Sequence, residues 1–253
     1  MDRILFVDRY VTVDQDKSAT FVGGPRSPSD TLEFGSHVHG HDSNHLRLVK
    51  PLHSRVFEVS RLYPDAPCLC TSHDDGWTLS YGQLLVETSR VQSILVQTGK
   101  RFEGLRVGVL VPRGISLVVT VLAVHGLGGV YVPLDPSMPL ERHVSACSNG
   151  LVDILVTVSS LSRDGHTLCS KIGHPCEIVE IDGVGDVGGE LYDVDFVLDM
   201  SPAFVICTSG TTGVPKAVLY PHIGLVDAIE NHLEILKPNR DKDVFELSYS
   251  SGF

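Results

Sequence analysis

The sequence predicts an α/β domain in which helices cover both faces of a central sheet, a layered helix–sheet–helix arrangement. Three observations carry this. Short continuous apolar runs such as "LRVGVLV" and "DILVTV" read as strands covered on both faces. Segments with helical spacing of apolar residues alternate with those runs, which is the order of a layered α/β fold. At 253 residues, with 42% hydrophobic and 20% charged side chains, the chain holds enough apolar surface for one large core or two smaller ones.

Residues 1–50 contain "GGPRSPSD" and "GSHVHGHDSNH", rich in Gly, Pro, Ser and Asp without helical period, and are expected to be a loop-rich extension. The remaining residues, 51–253, form the domain. "PLHSRVFEVSRLYP" predicts a helix opened by Pro51, with Leu52, Val56 and Val59 on one face and Pro64 ending it. "PCLCTS" and "GWTLSY" flank the turn signal "HDDG" and predict a hairpin. "SYGQ" then offers a capping box, in which Ser80 accepts from the Gln83 amide and the Gln83 side chain reaches back. Leu84, Leu85, Thr88, Val91 and Leu95 form the stripe of that helix, and Gly99 terminates it. A strand at "LRVGVLV", a helix over about 115–125, a strand at "GVYVPL", a turn at "DPSMP" and a helix over about 139–148 follow. Strands at "DILVTV", "EIVEID" and "AFVIC" complete the order, with the acidic loop "DGVGDVGGE" before the last of them.

Composition excludes several function classes. A formal net charge of −11 opposes general attraction to nucleic-acid backbones, which relies on clustered Lys and Arg. The cysteines, Cys68, Cys70, Cys147, Cys169, Cys176 and Cys207, contain no CxxC pair, so neither a zinc ribbon nor a thioredoxin-type centre is expected, and reduced thiols fit a cytoplasmic protein. The start, "MDRILFVDRYVTVD", has charges among its apolar residues and lacks a secretory cleavage pattern. "GISLVVTVLAVHGLGGVYVPL" is uncharged and long enough for a membrane test, but "HGLGG" divides it into a buried helix and a buried strand.

The stretch "TSGTTGVPKAV" has the chemistry of a phosphate cradle. The hydroxyls of Thr208, Ser209, Thr211 and Thr212 can donate to phosphate oxygens, Gly210 and Gly213 let the backbone approach an anion, and Lys216 supplies compensating charge. It is not a Walker-A loop. The glycines are three apart, "VP" precedes the lysine, and "AVLYP" behind it reads as a strand rather than a helix. The arrangement is strand, hydroxyl-rich hinge, strand, suited to the outer phosphates of ATP.

"VICTSGTTGVPK" resembles the AMP-binding signature of the adenylate-forming superfamily, which includes acyl-CoA synthetases, luciferases and the adenylation domains of nonribosomal peptide synthetases. Every position from Thr208 to Lys216 fits that pattern; Ala217 stands where glycine is usual. Upstream, "PLHSRVFEVSRLYPDAPCL", "LSYGQL" and "GLGGVYVPLDPSMPLERH" resemble family elements, as does "PHIGLVD" behind the loop, and "YVPLDP" favours the amino-acid-activating branch.

The resemblance implies attack of a carboxylate on the α-phosphate of ATP, giving an acyl-adenylate and pyrophosphate, followed by transfer to a thiol of phosphopantetheine or coenzyme A, with a carrier-protein domain as partner in the first case. It implies that residues 208–216 hold the β- and γ-phosphates with Mg²⁺ nearby, and that Lys216 acts in catalysis. The family's adenine, ribose and Mg²⁺ elements and its catalytic lysine would follow Phe253, and "FELSYSSGF" resembles the approach to the substrate aspartate. The expectation is therefore a truncated N-terminal portion of the enzyme, inactive by itself. An acyl-CoA synthetase portion and a non-catalytic binding module are the alternatives.

Other residues invite simpler readings. His222 is expected either near the substrate channel, by resemblance, or on solvent at a helix start. His37, His39, His41 and His45 sit in a loose loop whose spacing does not favour a metal. Cys68 and Cys70 should share one buried strand face, Trp77 and Tyr81 should be core aromatics, and the acidic residues from Asp182 to Asp199 should be solvated.

Overall fold

A computed structural model describes residues 48–70, 78–182, 189–198, 200–208 and 216–238. In chain order these form β1 (Leu48–Val49), α1 (Ser54–Leu62), β2 (Pro67–Cys70), β3 (Thr78–Ser80), α2 (Tyr81–Val96), β4 (Arg106–Leu110), α3 (Ile115–Gly126) and β5 (Val130–Pro133). Then come α4 (Leu140–Gly150), β6 (Ile154–Thr157), α5 (Ser162–Lys171), β7 (Glu177–Glu180), β8 (Val197–Leu198), β9 (Pro202–Thr208), β10 (Lys216–Pro221) and α6 (His222–Leu236).

Six strands make the central sheet in the order β10-β9-β5-β4-β6-β7. β9, β5, β4, β6 and β7 are parallel and β10 is antiparallel on the edge. Parallel neighbours need crossovers, and α3, α4 and α5 supply them between β4, β5, β6 and β7. Alternate strand residues feed two cores. Val107, Val109, Tyr131, Ile154 and Val156 join the cluster beneath α1, α2 and α3, whereas Leu110, Val130, Val132 and Leu155 join the one beneath α4 and α5. Val107, Val109, Ile154, Leu155 and Val156 are 0% exposed, which is why these strands read as unbroken apolar runs.

The Ser80 capping box forms as expected. Ser80 Oγ accepts from the Gln83 amide at 3.2 Å, and the Ser80 amide donates to Gln83 Oε1 at 2.8 Å. Gly99 follows α2 with φ +69°, where a side chain would be strained. α3 buries nine of its twelve residues, a helix apolar on nearly all sides because sheet, α2 and α6 surround it. Among the described residues no helix is long and apolar enough to cross a membrane.

Four expectations need correction. α1 begins at Ser54, not Pro51, since the Ser54 amide first closes a turn on the Pro51 carbonyl at 3.1 Å. Its buried face is Ser54, Phe57 and Ser60, with Leu52, Val56 and Val59 only half-buried. Ser60 tolerates this position because its Oγ donates to the Val56 carbonyl at 2.7 Å. In β2 the buried member is Leu69, while Cys68 and Cys70 are half-buried; the cysteines are thiols, not disulfides. Finally, α5 falls where the apolar spacing predicts no element. Tyr81 packs on the first core, as expected for an aromatic, and Trp77 lies outside the described residues.

Candidate functional site

β9 and β10 pair in register, Lys216 with Thr208, Ala217 with Cys207 and Val218 with Ile206. The phosphate-like stretch is thus the connection of an antiparallel hairpin, the strand–hinge–strand order that its spacing predicts. Thr208 and Lys216 form the rung that closes the ladder, so the ends of the connection are held side by side. Ser209, Gly210, Thr211, Thr212 and Gly213 lie outside the described residues. Ala217, where the family usually has glycine, continues the β10 ladder without positive φ and packs on the second core, so no glycine is required there.

β9 runs parallel to β5, so Thr208 emerges at the carboxyl edge of the sheet, beside the ends of β5 and β4. Ligands of open α/β sheets gather at this edge, where chain connections diverge. At the neighbouring end of β5, Asp135 Oδ1 accepts from the amide and hydroxyl of Ser137 at 2.9 and 2.7 Å, and His143 Nε2 donates to the Asp135 carbonyl at 2.7 Å. These bonds fix the "DPSMP" turn beside the hairpin.

The far end of β10 is anchored by His222, the first residue of α6. It is 2% exposed, which overturns the solvent-facing alternative. Its Nδ1 accepts from the Leu52 amide at 3.0 Å, and its ring meets His125 edge-on with centroids 5.4 Å apart. His125 Nε2 in turn donates to the Ala203 carbonyl of β9 at 3.0 Å. Burial pushes His222 down to about 4 and His125 well below the ordinary imidazole value, so both are neutral near pH 7. His222 therefore couples the end of β10 to the segment before α1 through an uncharged hydrogen bond and to α3 through a ring contact.

Sequence reasoning missed the partner of this cluster. The acidic segment before β8, expected to be solvated, folds back over α1, α2 and α3. Asp193 Oδ1 lies 3.1 Å from Nε2 of the buried His53 and Oδ2 accepts from Arg61 at 2.7 Å, bonds that hold its carboxyl below the ordinary range. The Tyr192 amide donates to Gln92 Oε1 at 2.9 Å and its carbonyl accepts from Gln92 Nε2 at 2.8 Å. Asp182 likewise accepts from the amide and hydroxyl of Ser159. The local signal for these contacts is limited to a glutamine close to the α2 stripe; the bonds of Gln92 to Tyr192 and of His53 to Asp193 span 100 and 140 residues.

Among the described residues no group of His, Cys, Asp and Glu is arranged to hold a metal. His37, His39, His41 and His45 lie outside the described residues.

A family model described as AMP-binding enzyme matches residues 56–251. Tenellin synthetase of Beauveria bassiana is 33% identical over 180 residues, which are 69% of this chain and 4% of that protein. A plipastatin synthase of Bacillus subtilis is 28% identical over 191 residues, 76% of this chain and 7% of that protein. The chain therefore spans less than about a tenth of these relatives. In solved structures, the N-terminal subdomain of Klebsiella oxytoca NpsA in complex with 3-hydroxybenzoyl-AMSN matches with a TM-score of 0.55 and 21% identity, over 69% of this chain and 41% of that one. ATP-bound MatB from Rhodopseudomonas palustris matches with a TM-score of 0.58 and 25% identity, over 74% and 38%. With the hairpin, the sheet order and these likenesses together, the chain belongs to the AMP-binding family of adenylate-forming enzymes and has the fold of the N-terminal part of their adenylation domain.

Proposed function

We propose that this chain is the phosphate-binding N-terminal part of an enzyme that activates a carboxylic acid, an amino acid in the favoured reading, as an acyl-adenylate. The observation that carries the reading is the β9–β10 register, which closes the hydroxyl- and glycine-rich connection on a Thr208–Lys216 rung at the carboxyl edge of the sheet. The synthetase relatives and "YVPLDP" support an amino acid as substrate and a phosphopantetheine thiol on a carrier domain as acceptor.

In this reading the hydroxyls of Thr208, Ser209, Thr211 and Thr212 donate to the β- and γ-phosphate oxygens of ATP, and Gly210 and Gly213 let the backbone close on them. Lys216 offsets the charge that builds on pyrophosphate as the carboxylate attacks the α-phosphorus and the bond to the β-phosphate oxygen breaks. Mg²⁺ accompanies the triphosphate and shares that neutralisation. Preorganised charge of this kind is typically worth about 10²–10³ in rate.

The test uses the complete synthetase that contains these residues. Lys216→Ala is expected to slow acid-dependent ATP–pyrophosphate exchange by about 10²-fold with an unaltered circular dichroism spectrum; an unchanged exchange rate removes Lys216 from the mechanism. The 253-residue chain by itself is expected to show no exchange, since its match covers 41% of the NpsA subdomain chain and phosphate contacts alone do not orient the acid. Acyl transfer to free coenzyme A in place of a carrier thiol would move the assignment to an acyl-CoA synthetase.

A further inference from the structure

A chain of net charge −11 offers a triphosphate no general attraction, so a phosphate site on it depends on cations placed locally. The packing of α4 against β9 brings one to the end of the hairpin. β5 and β6 are both parallel to β4, so α4 returns antiparallel to the strands and its first turn stands at their carboxyl edge.

One i, i+4 row of α4 follows β9 towards that edge. A Cβ on Gly150 would lie 3.8 Å from Val205 Cγ1, and the Cys207 thiol donates to the Ala146 carbonyl at 3.6 Å. Four helical residues rise about 6 Å and two strand residues about 6.7 Å, so helix row and strand keep step. The next member of the row is Arg142, which one further step carries past Cys207 towards the Thr208–Lys216 rung. Helical side chains lean towards the helix N-terminus, which here is the direction of the rung. Burial pushes the Cys207 thiol up to about 11, a rise that the charge of the nearby Arg142 opposes.

The turn that carries Arg142 is fixed, and its guanidinium is available. The Arg142 amide donates to the Pro139 carbonyl at 3.0 Å, His143 is 6% exposed with its Nε2 bonded to the Asp135 carbonyl, and Leu140 and Val144 pack on the second core. Arg142 itself is exposed, and no carboxylate pairs with it among the described residues.

We propose that Arg142 is a further phosphate-binding residue, holding the pyrophosphate portion of ATP, and pyrophosphate after its release, from the α4 face of the sheet. The assignment rests on the reading of the β9–β10 connection as a phosphate site. A guanidinium suits the task because its planar fork of N–H donors meets two phosphate oxygens at once. Substrate and product carry the same outer phosphates, so the contribution is to binding rather than to turnover.

The test uses the complete synthetase that contains these residues. Arg142→Gln removes the charge and keeps a polar side chain. It is expected to raise the KM for pyrophosphate and for ATP in acid-dependent exchange about tenfold. The KM for the acid and the maximal rate should stay unchanged, and Arg142→Lys should restore most of the lost affinity; a purely structural role would give neither the split nor the rescue. A rise in the KM for the acid equal to that for pyrophosphate would overturn the assignment. Lys216→Ala, measured alongside, separates the two readings. Slowed exchange in Lys216→Ala with unaltered KM values in Arg142→Gln removes Arg142 and leaves the phosphate connection standing. Unaltered kinetics in both variants overturns the connection and Arg142 with it.

Discussion

Replacing Gly126 by alanine tests how the segment before β8 is held. Gly126 ends α3, and a Cβ there would lie 2.4 Å from Gln92 Nε2, 2.7 Å from the Tyr192 carbonyl oxygen and 3.3 Å from Phe57 Cε2. None of these neighbours is free to move. Gln92 is 0% exposed, Tyr192 is bonded to it through both amide and carbonyl, and the Val194 amide donates to the Gly126 carbonyl at 3.1 Å. Overpacking costs about 1–3 kcal/mol, and displacing Gln92 forfeits two hydrogen bonds of about 0.5–1.5 kcal/mol each. The gain from removing a helical glycine returns only about 0.5–1 kcal/mol. A net loss of about 3 kcal/mol is expected in urea unfolding followed by far-ultraviolet circular dichroism. Gly150→Ala is the matched control, also the last residue of its helix but with its nearest neighbour, Val132 Cγ1, at 3.4 Å. In Gln92→Ala/Gly126→Ala the shortest clash is removed while the one with the Tyr192 carbonyl persists, so the two losses should fall short of additivity by roughly 1 kcal/mol. Equal stabilities of the Gly126 and Gly150 variants would refute the argument, because they would mean that the segment does not press on α3.

The neutral histidines predict acid sensitivity. Folded His222 titrates near 4 and the unfolded residue near 6.5, so the unfolded state takes up the proton first as pH falls. The contribution of His222 is complete above about 6.5 and is lost progressively towards 4, an interval worth roughly 3 kcal/mol at about 1.4 kcal/mol per unit. His125 acts in the same direction, and His222→Asn should flatten the stability profile over that range. Ser80→Ala should cost about 1 kcal/mol, measured by the same urea titration, through loss of the cap.

What the sequence made legible was local. The capping box, the alternating strand–helix order and the strand pair β9–β10 each depend on residues a few positions apart, and each formed where its spacing placed it. α5 escapes such reasoning because "SRDGHTLCSK" offers one large buried apolar residue, Leu168, and carries Gly165 in its interior. Neither period nor propensity marks such a helix; it is held because Gly165 lets it lie close to Leu155 and Thr157 of β6. Asp193 and His53 escape it for a related reason. Their bond joins positions 140 residues apart, and the chain gives no local sign of it.

The two kinds of feature meet at β10. This strand runs only from Lys216 to Pro221, and His222 follows at once. One end is therefore fixed by the Thr208–Lys216 rung and the other by a buried imidazole bonded to the Leu52 amide, next to His125, which holds the Ala203 carbonyl of the partner strand β9. Both strands of the hairpin are thus tied to the helical layer on one face, while Ala217 and Leu219 pack on the core of the other. On the proposed function, strands anchored in this way set the two ends of the phosphate-binding connection. On the proposed reading residues 208–216 bring the phosphate chemistry, and the buried histidines, which spacing could not reveal, fix the strands on either side.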